Sequence, residues 1–314
     1  MTALGNLLID KLATLGRVMG LEGLRDQIIE SKLLTARVLI SQMKSAGRLE
    51  RIADAEFKVF SQFGDDGIIQ YLVHQIGMSA DLQTFIEFGV QDYQESNTRF
   101  LLMNDNWRGL ILDGSKSNMD KVIQGSDYWR YDLTAVTAFI DRDNINDLFI
   151  RHGFTGEIGL LSIDIDGNDY WVWERIEAVN PMIVVAEYNS TFGHQYAVTI
   201  PYDATFQRSR AHYSNLYWGA SLKAFCLLAE RKGYAFVGSN SAGNNAYFVR
   251  LDKLANIRPL DVEQGYVAAR FRESRNAGGD LTYLESNARL QEISDMKVFD
   301  IEHAAVIRIA DLYK

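Results

Sequence analysis

The period of the apolar positions changes along the chain, and the changes divide it. Over residues 1–55, Leu4, Leu8, Leu12, Leu15 and Met19 recur at spacings of three and four, and Leu24, Ile28, Leu34, Val38 and Met43 continue a similar stripe. That spacing predicts amphipathic helices. Gly16, Gly20 and Gly23 are expected to break the stripe into two of them. From about residue 84, short apolar runs alternate with helical patterns. The runs are TFIEFGV (84–90), RGLILDGS (108–115), a weaker YWRYDL (128–133), IGLLSIDID (158–166) and MIVVAEYN (182–189). Between them ESNTRFLLMND, SNMDKVIQG, LFIRHGF and NDYWVWERIE read as helices. Runs that are apolar on both faces and separated by helices predict a parallel sheet covered on both sides, hence a doubly wound α/β fold. GASLKAFCLLAERKG predicts a further helix. YAFVGS and NAYFVR, facing each other across NSAGNN, predict a hairpin at the end of the sheet. The stretch 252–314 is mixed and charged, with one short apolar run at AAVIRI. The pattern therefore divides the chain into an N-terminal helical extension (1–55), an α/β domain (56–251) and a C-terminal extension (252–314) given to packing or assembly.

Composition narrows the class. The chain has 314 residues, 47% hydrophobic and 23% charged, which is ample for a buried core. Its formal net charge of −9 argues against a nucleic-acid partner, which calls for a basic face. The single cysteine, Cys226, excludes a disulfide within the chain and a zinc–cysteine cluster, and it reads as a buried apolar thiol. The opening MTALGNLLIDKLATLGRVMG lacks a basic segment followed by a long apolar one, and no stretch reaches the length of a membrane span. A cytoplasmic protein without a membrane span is expected. The N-terminal stripe is expected to pack on the main domain or on a second copy, giving a homo-oligomer.

In open α/β sheets, ligands bind beyond the carboxyl ends of the strands, where the strand order reverses. The predicted strand ends carry Glu87 and Gly89, Asp113, Asp164 and Asp166, then Glu187 and Asn189. Helix capping accounts for some of these acids, but less easily for Glu87, which sits inside an apolar run. A glycine after the first strand lets a cofactor approach the backbone, and an acid about twenty residues later can accept ribose hydroxyls. Gly89 and Asp113 fit that pair, which dinucleotide and S-adenosylmethionine sites share. EFGVQD has one glycine where the dinucleotide fingerprint needs three, which counts against an NAD-dependent oxidoreductase.

FIEFGVQDYQESNTRFLL, GLILDGS, LLSIDIDGNDYWVWERI and IVVAEYN, with EFKVFSQFGDDGIIQYL (56–72) upstream, resemble the FkbM-like branch of class I S-adenosylmethionine-dependent methyltransferases. The resemblance covers about residues 56 to 250. It implies a Rossmann-like methyltransferase sheet of seven strands, the last antiparallel, and S-adenosylmethionine as cofactor. It further implies O-methylation of a sugar hydroxyl, on a polysaccharide, glycan precursor or glycosylated natural product. Carried over by position, Glu87 and Gly89 match the first cofactor motif and Asp113 the ribose-binding acid. Asn97, Ser61, Gln62 and Gly64 are implied to edge the cofactor pocket. At Gln91 and Tyr93 the chain departs from the family's glycine-rich first loop.

Methyl transfer aligns an acceptor oxygen with a sulfonium methyl, and a sugar hydroxyl needs a base or a Lewis acid to lose its proton. Asp164 and Asp166 are candidates for both tasks. Asp164, Glu187 and Asn189 offer hard oxygens suited to Mg²⁺ or another divalent cation. His194 is the alternative base, in a Tyr- and Phe-rich stretch (187–206) suited to a sugar-containing acceptor. His212 falls in the same region. His74 and His152 are read as structural residues of helices, and Trp171 and Trp173 as core. Two other readings stay open. An apolar strand ending in Asp-x-Asp is also the metal and nucleotide-sugar motif of a glycosyltransferase fold, and a non-catalytic module could retain the fold for assembly.

Overall fold

The computed structural model describes residues 20–312. The chain divides into two compact units, Met1–Ala46 and Gly47–Lys314. In the first, a single helix runs from Leu21 to Ala46. Gly20 precedes it in the left-handed region, but Gly23 lies inside it, so the expected break at Gly23 does not occur. One glycine costs a helix about 1 kcal/mol, which 26 residues of helix absorb. Leu24, Ile28, Leu34 and Val38 of the stripe are exposed. The expected break at Gly16 and the stripe from Leu4 to Met19 lie outside the described residues.

The second unit is built on a seven-stranded sheet. Its strands are β1 (Thr84–Phe88), β2 (Arg108–Asp113), β3 (Leu133–Thr137), β4 (Gly156–Ile163), β5 (Val179–Glu187), β7 (Tyr234–Ser239) and β8 (Asn245–Arg250), while β6 (Val198–Thr199) belongs to a second sheet. The order is β3-β2-β1-β4-β5-β8-β7. β1 to β5 are parallel, and β8 runs antiparallel to both β5 and β7. This is the Rossmann-like methyltransferase sheet with its last strand antiparallel. The hairpin lies where the sequence puts it, but its second strand, not its first, joins β5.

The sheet is covered on both faces because its central strands are apolar throughout. Phe85–Phe88, Ile158–Ile163 and Pro181–Glu187 are buried at every position. Trp171 and Trp173, on the helix Asp169–Arg175, are buried as expected, with ring centroids 5.2 Å from Phe299 and 5.1 Å from Phe248. Cys226 is partly buried on the helix Leu222–Arg231. His74 lies in the last turn of the helix Asp65–Gln75, and His152 just past the helix Ile145–Arg151.

Strand boundaries shift by a few residues from the reading of the sequence, and two of the shifts matter here. The third strand is Leu133–Thr137, not 128–133. Gly109 pairs with Leu133, so pairing with β2 begins where YWRYDL ends. Residues 125–130 form tight turns instead, with Tyr128 N–H on Gly125 O and Arg130 N–H on Asp127 O, and Trp129 is 76% exposed. An aromatic run reads as strand by propensity, but here nothing covers it. The fourth strand ends at Ile163, and Asp166 takes a left-handed backbone at φ 55°. The strand therefore does not extend through both aspartates.

Part of the stretch 252–314 builds a second, three-stranded sheet. β9 (Lys297–Asp300) lies between β10 (Ala305–Arg308) and β6, which is in the segment after β5. Val198, Ile200, Leu216, Ile293 and Val298 form its core.

Candidate active-site cleft

Strand register sets out the site. Phe88 pairs with Leu112 on one side and Ile163 on the other, and Ile163 pairs with Ala186. One residue further along, Asp113, Gly89, Asp164 and Glu187 therefore stand in a row across β2, β1, β4 and β5, at the carboxyl ends of the strands. The strand order reverses between β1 and β4, which is where open α/β sheets bind ligands. A cavity of about 410 Å³ follows the row, lined by Gln62, Gly89, Asp113, Asp164, Glu187 and Arg208 among others. An adjoining cavity of about 160 Å³ shares Gln62, Gly89, Gln91 and Asp164 and adds Glu87 and Asn97.

Each member of the row is fixed locally. Gly89 has φ 79°, and a Cβ built on it would lie 1.6 Å from the Asp164 carbonyl oxygen. Only glycine fits this close approach of two strand ends. Asp113 Oδ2 accepts the Gln91 N–H at 2.8 Å and Oδ1 the Ser115 N–H at 2.7 Å. A carboxylate oxygen accepts more than one hydrogen bond, so both oxygens retain capacity for a hydroxyl. Gln91 reaches Asp113 through a left-handed backbone at φ 49°, a region that favours glycine.

Glu87 is buried and tied to one loop. Oε2 accepts from the Ser96 and Thr98 hydroxyls, each at 2.5 Å, and Oε1 from the Asn97 N–H at 2.9 Å. Burial pushes its carboxyl above the usual range, and these donors pull the other way. Asn97 Nδ2 donates to Ser162 Oγ at 3.1 Å, bracing the loop against β4. Glu87 thus shapes the cleft wall through residues 96–98.

Ser61 and Gly64 do not line the cleft, whereas Gln62 between them does. The Ser61 hydroxyl donates to Asp66 Oδ2 at 2.8 Å, and the same oxygen accepts the N–H groups of Val59, Phe60 and Ser61 at 2.7, 2.9 and 2.9 Å. Gly64 caps the helix Asp65–Gln75 and abuts Glu56. One buried acid therefore folds the segment that presents Gln62. Asp66→Ala leaves three backbone donors without their acceptor, and a loss of about 3 kcal/mol is expected, read from chemical denaturation.

Three acids converge beside Gly89. One carboxylate oxygen from each of Asp164, Asp166 and Glu187 lies within 4.8 Å of the others. Glu187 is 8% exposed and its Oε2 has no hydrogen-bond partner among the described residues. Burial, then the charges of Asp166 and Asp169, push Asp164 well above the usual carboxylate range, against a hydrogen bond with Glu187. Burial and then Asp164 push Glu187 up in the same way. Asp164 is half-buried and Glu187 buried, and two carboxylates this close resist ionising together, which favours one proton shared between them. Arg208 Nη1 lies 2.5 Å from Asp166 Oδ1 and offsets part of the charge.

The predicted ligand set needs one correction. Asn189 is 1% exposed, and its Nδ2 donates to Leu216 O and Trp218 O at 2.9 and 3.0 Å, while Oδ1 accepts the Thr191 N–H at 3.0 Å. Its amide is consumed by the loop it holds, and Asp166 takes its place beside Asp164 and Glu187. His194 does not line this cleft. Its ring sits 5.0 Å from that of Tyr266 in a separate cavity. His212 Nδ1 pairs with Ser214 Oγ at 2.7 Å. Arg208 was not foreseen from the sequence. Its only advance signal is that several converging acids call for a cation, and no spacing points to this arginine.

Neither a protein-family model nor a curated protein matches the chain. Among solved structures, the chain is similar to the N-terminal domain of EvdMO1 with S-adenosylhomocysteine bound, at 10% identity and a TM-score of 0.40, over 68% of this chain and 94% of that one. It is similar to the O-methyltransferase from Bacillus cereus in complex with S-adenosylhomocysteine at 12% identity, TM-score 0.38, over 69% and 89%. It is also similar to the DszA carbon methyltransferase at 12% identity, TM-score 0.37, over 60% and 53%. Among the described residues no helix is long and apolar enough to cross a membrane.

Proposed function

We propose that the protein transfers the methyl group of S-adenosylmethionine to an oxygen of a sugar-containing acceptor. The observation that carries this reading is the row Asp113–Gly89–Asp164–Glu187 along one cleft. In that row, a carboxylate able to accept ribose hydroxyls and a glycine open to close backbone approach stand beside two close acids, Asp164 and Glu187, whose pKa values are both raised. The cofactor's ribose lies at Asp113 and its methionine end passes Gly89 toward Asn97. The acceptor hydroxyl meets the methyl beside Asp164. As the oxygen–carbon bond forms and the carbon–sulfur bond breaks, the hydroxyl proton passes to the Asp164–Glu187 pair, and S-adenosylhomocysteine leaves. The raised pKa of the pair makes it a stronger base than an ordinary carboxylate.

The oxygens of Asp164, Asp166 and Glu187 also fit a divalent cation, since they are hard donors and one of them, Glu187 Oε2, is buried without a partner. Such a cation would lower the pKa of a bound hydroxyl. Arg208 would then give up part of its hold on Asp166.

The test is calorimetric titration with S-adenosylhomocysteine, with and without Mg²⁺. Micromolar binding is expected, and Asp113→Ala is expected to weaken it about 10- to 100-fold by removing charge-assisted bonds to the ribose. Absence of binding in both conditions would overturn the donor assignment and turn attention to nucleotide-sugar donors.

A further inference from the structure

The cavity that His194 lines differs in chemistry from the cleft. It measures about 490 Å³ and lies between the loop after β5 (190–195), the segment 266–272 and the helix Ser286–Glu292. Its wall carries Arg270, Arg272 and Arg289 against one acid, Glu285. Arg272 pairs with that acid. Arg289 is 9% exposed, and among the described residues no carboxylate forms an ion pair with it. Its bonds are long: 3.4 Å to Thr191 Oγ1, 3.5 Å to Phe271 O and 3.3 Å to Glu273 O. Burial and then the charge of Arg208 push its pKa down. Arg270 is exposed on the same wall, and it too forms no ion pair among the described residues.

A guanidinium buried without a counter-ion is costly, and an anion entering the cavity removes that cost. The planar fork of arginine matches a carboxylate or a phosphate. Tyr266 and Phe271 supply faces on which a sugar ring can stack. The cavity is separate from the cleft, but contacts link their walls. Phe271 stacks on Phe63, next to Gln62, with centroids 6.1 Å apart. Arg208 of the cleft lies 4.0 Å from Glu273 Oε2, and Glu273 O accepts from Arg289.

We propose that this cavity binds the anionic group, carboxylate or phosphate, of an acidic sugar, with Arg289 and Arg270 as its contacts. That the sugar is the methyl acceptor rests on the function proposed above, but the anion site itself does not.

The test is calorimetry of the 314-residue chain with glucuronate, glucose 1-phosphate and glucose, each alongside a titration with S-adenosylhomocysteine. At least one anionic sugar is expected to bind about tenfold more tightly than glucose, and the tighter of the two identifies the anion. Arg270→Ala and Arg289→Gln are each expected to weaken that binding about tenfold without changing the affinity for S-adenosylhomocysteine. Arg270 is exposed, so its variant tests the site even where Arg289→Gln fails to fold. No binding of either anionic sugar, binding no tighter than glucose, or binding unchanged in Arg270→Ala would overturn the proposal. Anion binding lost in Arg270→Ala, with no binding of S-adenosylhomocysteine by the parent protein, would uphold the cavity and reject the donor site instead.

Discussion

Asp164→Asn is expected to lower kcat by a factor of about 10²–10⁴, the range that general-base catalysis supplies, while the affinity for S-adenosylhomocysteine stays within about twofold. The isostere keeps the size of the side chain but removes one of the two neighbouring carboxyls. Glu187→Gln should cost about as much, and the double variant little more, because the two groups act as a unit. The pH profile carries the same assignment. The pair accepts a proton only once it has lost one, so kcat/KM in the parent enzyme should rise with pH through a value well above the ordinary carboxylate range. Stability should run the other way. The folded-state pKa values are raised, so the contribution of the neutral pair is complete below the ordinary carboxylate pKa and is lost as pH rises through the raised one. Asp164→Asn should therefore be at least as stable as the parent protein at pH 8, with the difference shrinking at pH 5. Full activity together with an unchanged pH profile would remove Asp164 from the chemistry.

Gly89→Ala is expected to have the largest structural effect in the cleft. The added Cβ would lie 1.6 Å from the Asp164 carbonyl oxygen, and φ 79° is unfavourable for any residue with a side chain. Relief requires β1 and β4 to separate at their carboxyl ends, which moves Asp164 relative to Asp113. A loss of about 3 kcal/mol or more is expected from denaturation, with S-adenosylhomocysteine binding abolished in whatever protein folds. Gly114→Ala serves as the control. It lines the same cleft, but its Cβ would meet only a Phe139 ring carbon at 3.7 Å, an ordinary contact. That variant should lose less than about 1 kcal/mol. Equal effects from the two substitutions would show that the close approach at Gly89 does not set the geometry of the site.

Most of the fold was legible because its causes are local. Parallel strands buried on both faces must be apolar along their length, so TFIEF, GLILD, IGLLSI and MIVVAE stood out, as did the amphipathic helices between them. The third strand was misplaced because its edge position leaves LTAVT only partly buried and weakly patterned, while the neighbouring aromatic run looked more like a strand. Gly23 gave a false break because a helix tolerates one glycine at modest cost.

The site divides in the same way. The sequence by itself determined which acids lie at or next to the strand ends, since the end of each apolar run can be read directly: Glu87, Asp113, Asp164 and Glu187. Tertiary structure decided which of them meet and in what state of charge. The register placed Asp113, Gly89, Asp164 and Glu187 on one level and turned Glu87 toward its own loop. Loop packing consumed the amide of Asn189, moved His194 into another cavity and brought Arg208 to Asp166 from 42 residues away. Spacing along a chain sets which residues share a strand end, but burial and the meeting of distant segments set protonation and pairing, because both depend on charges and solvent brought near only by folding.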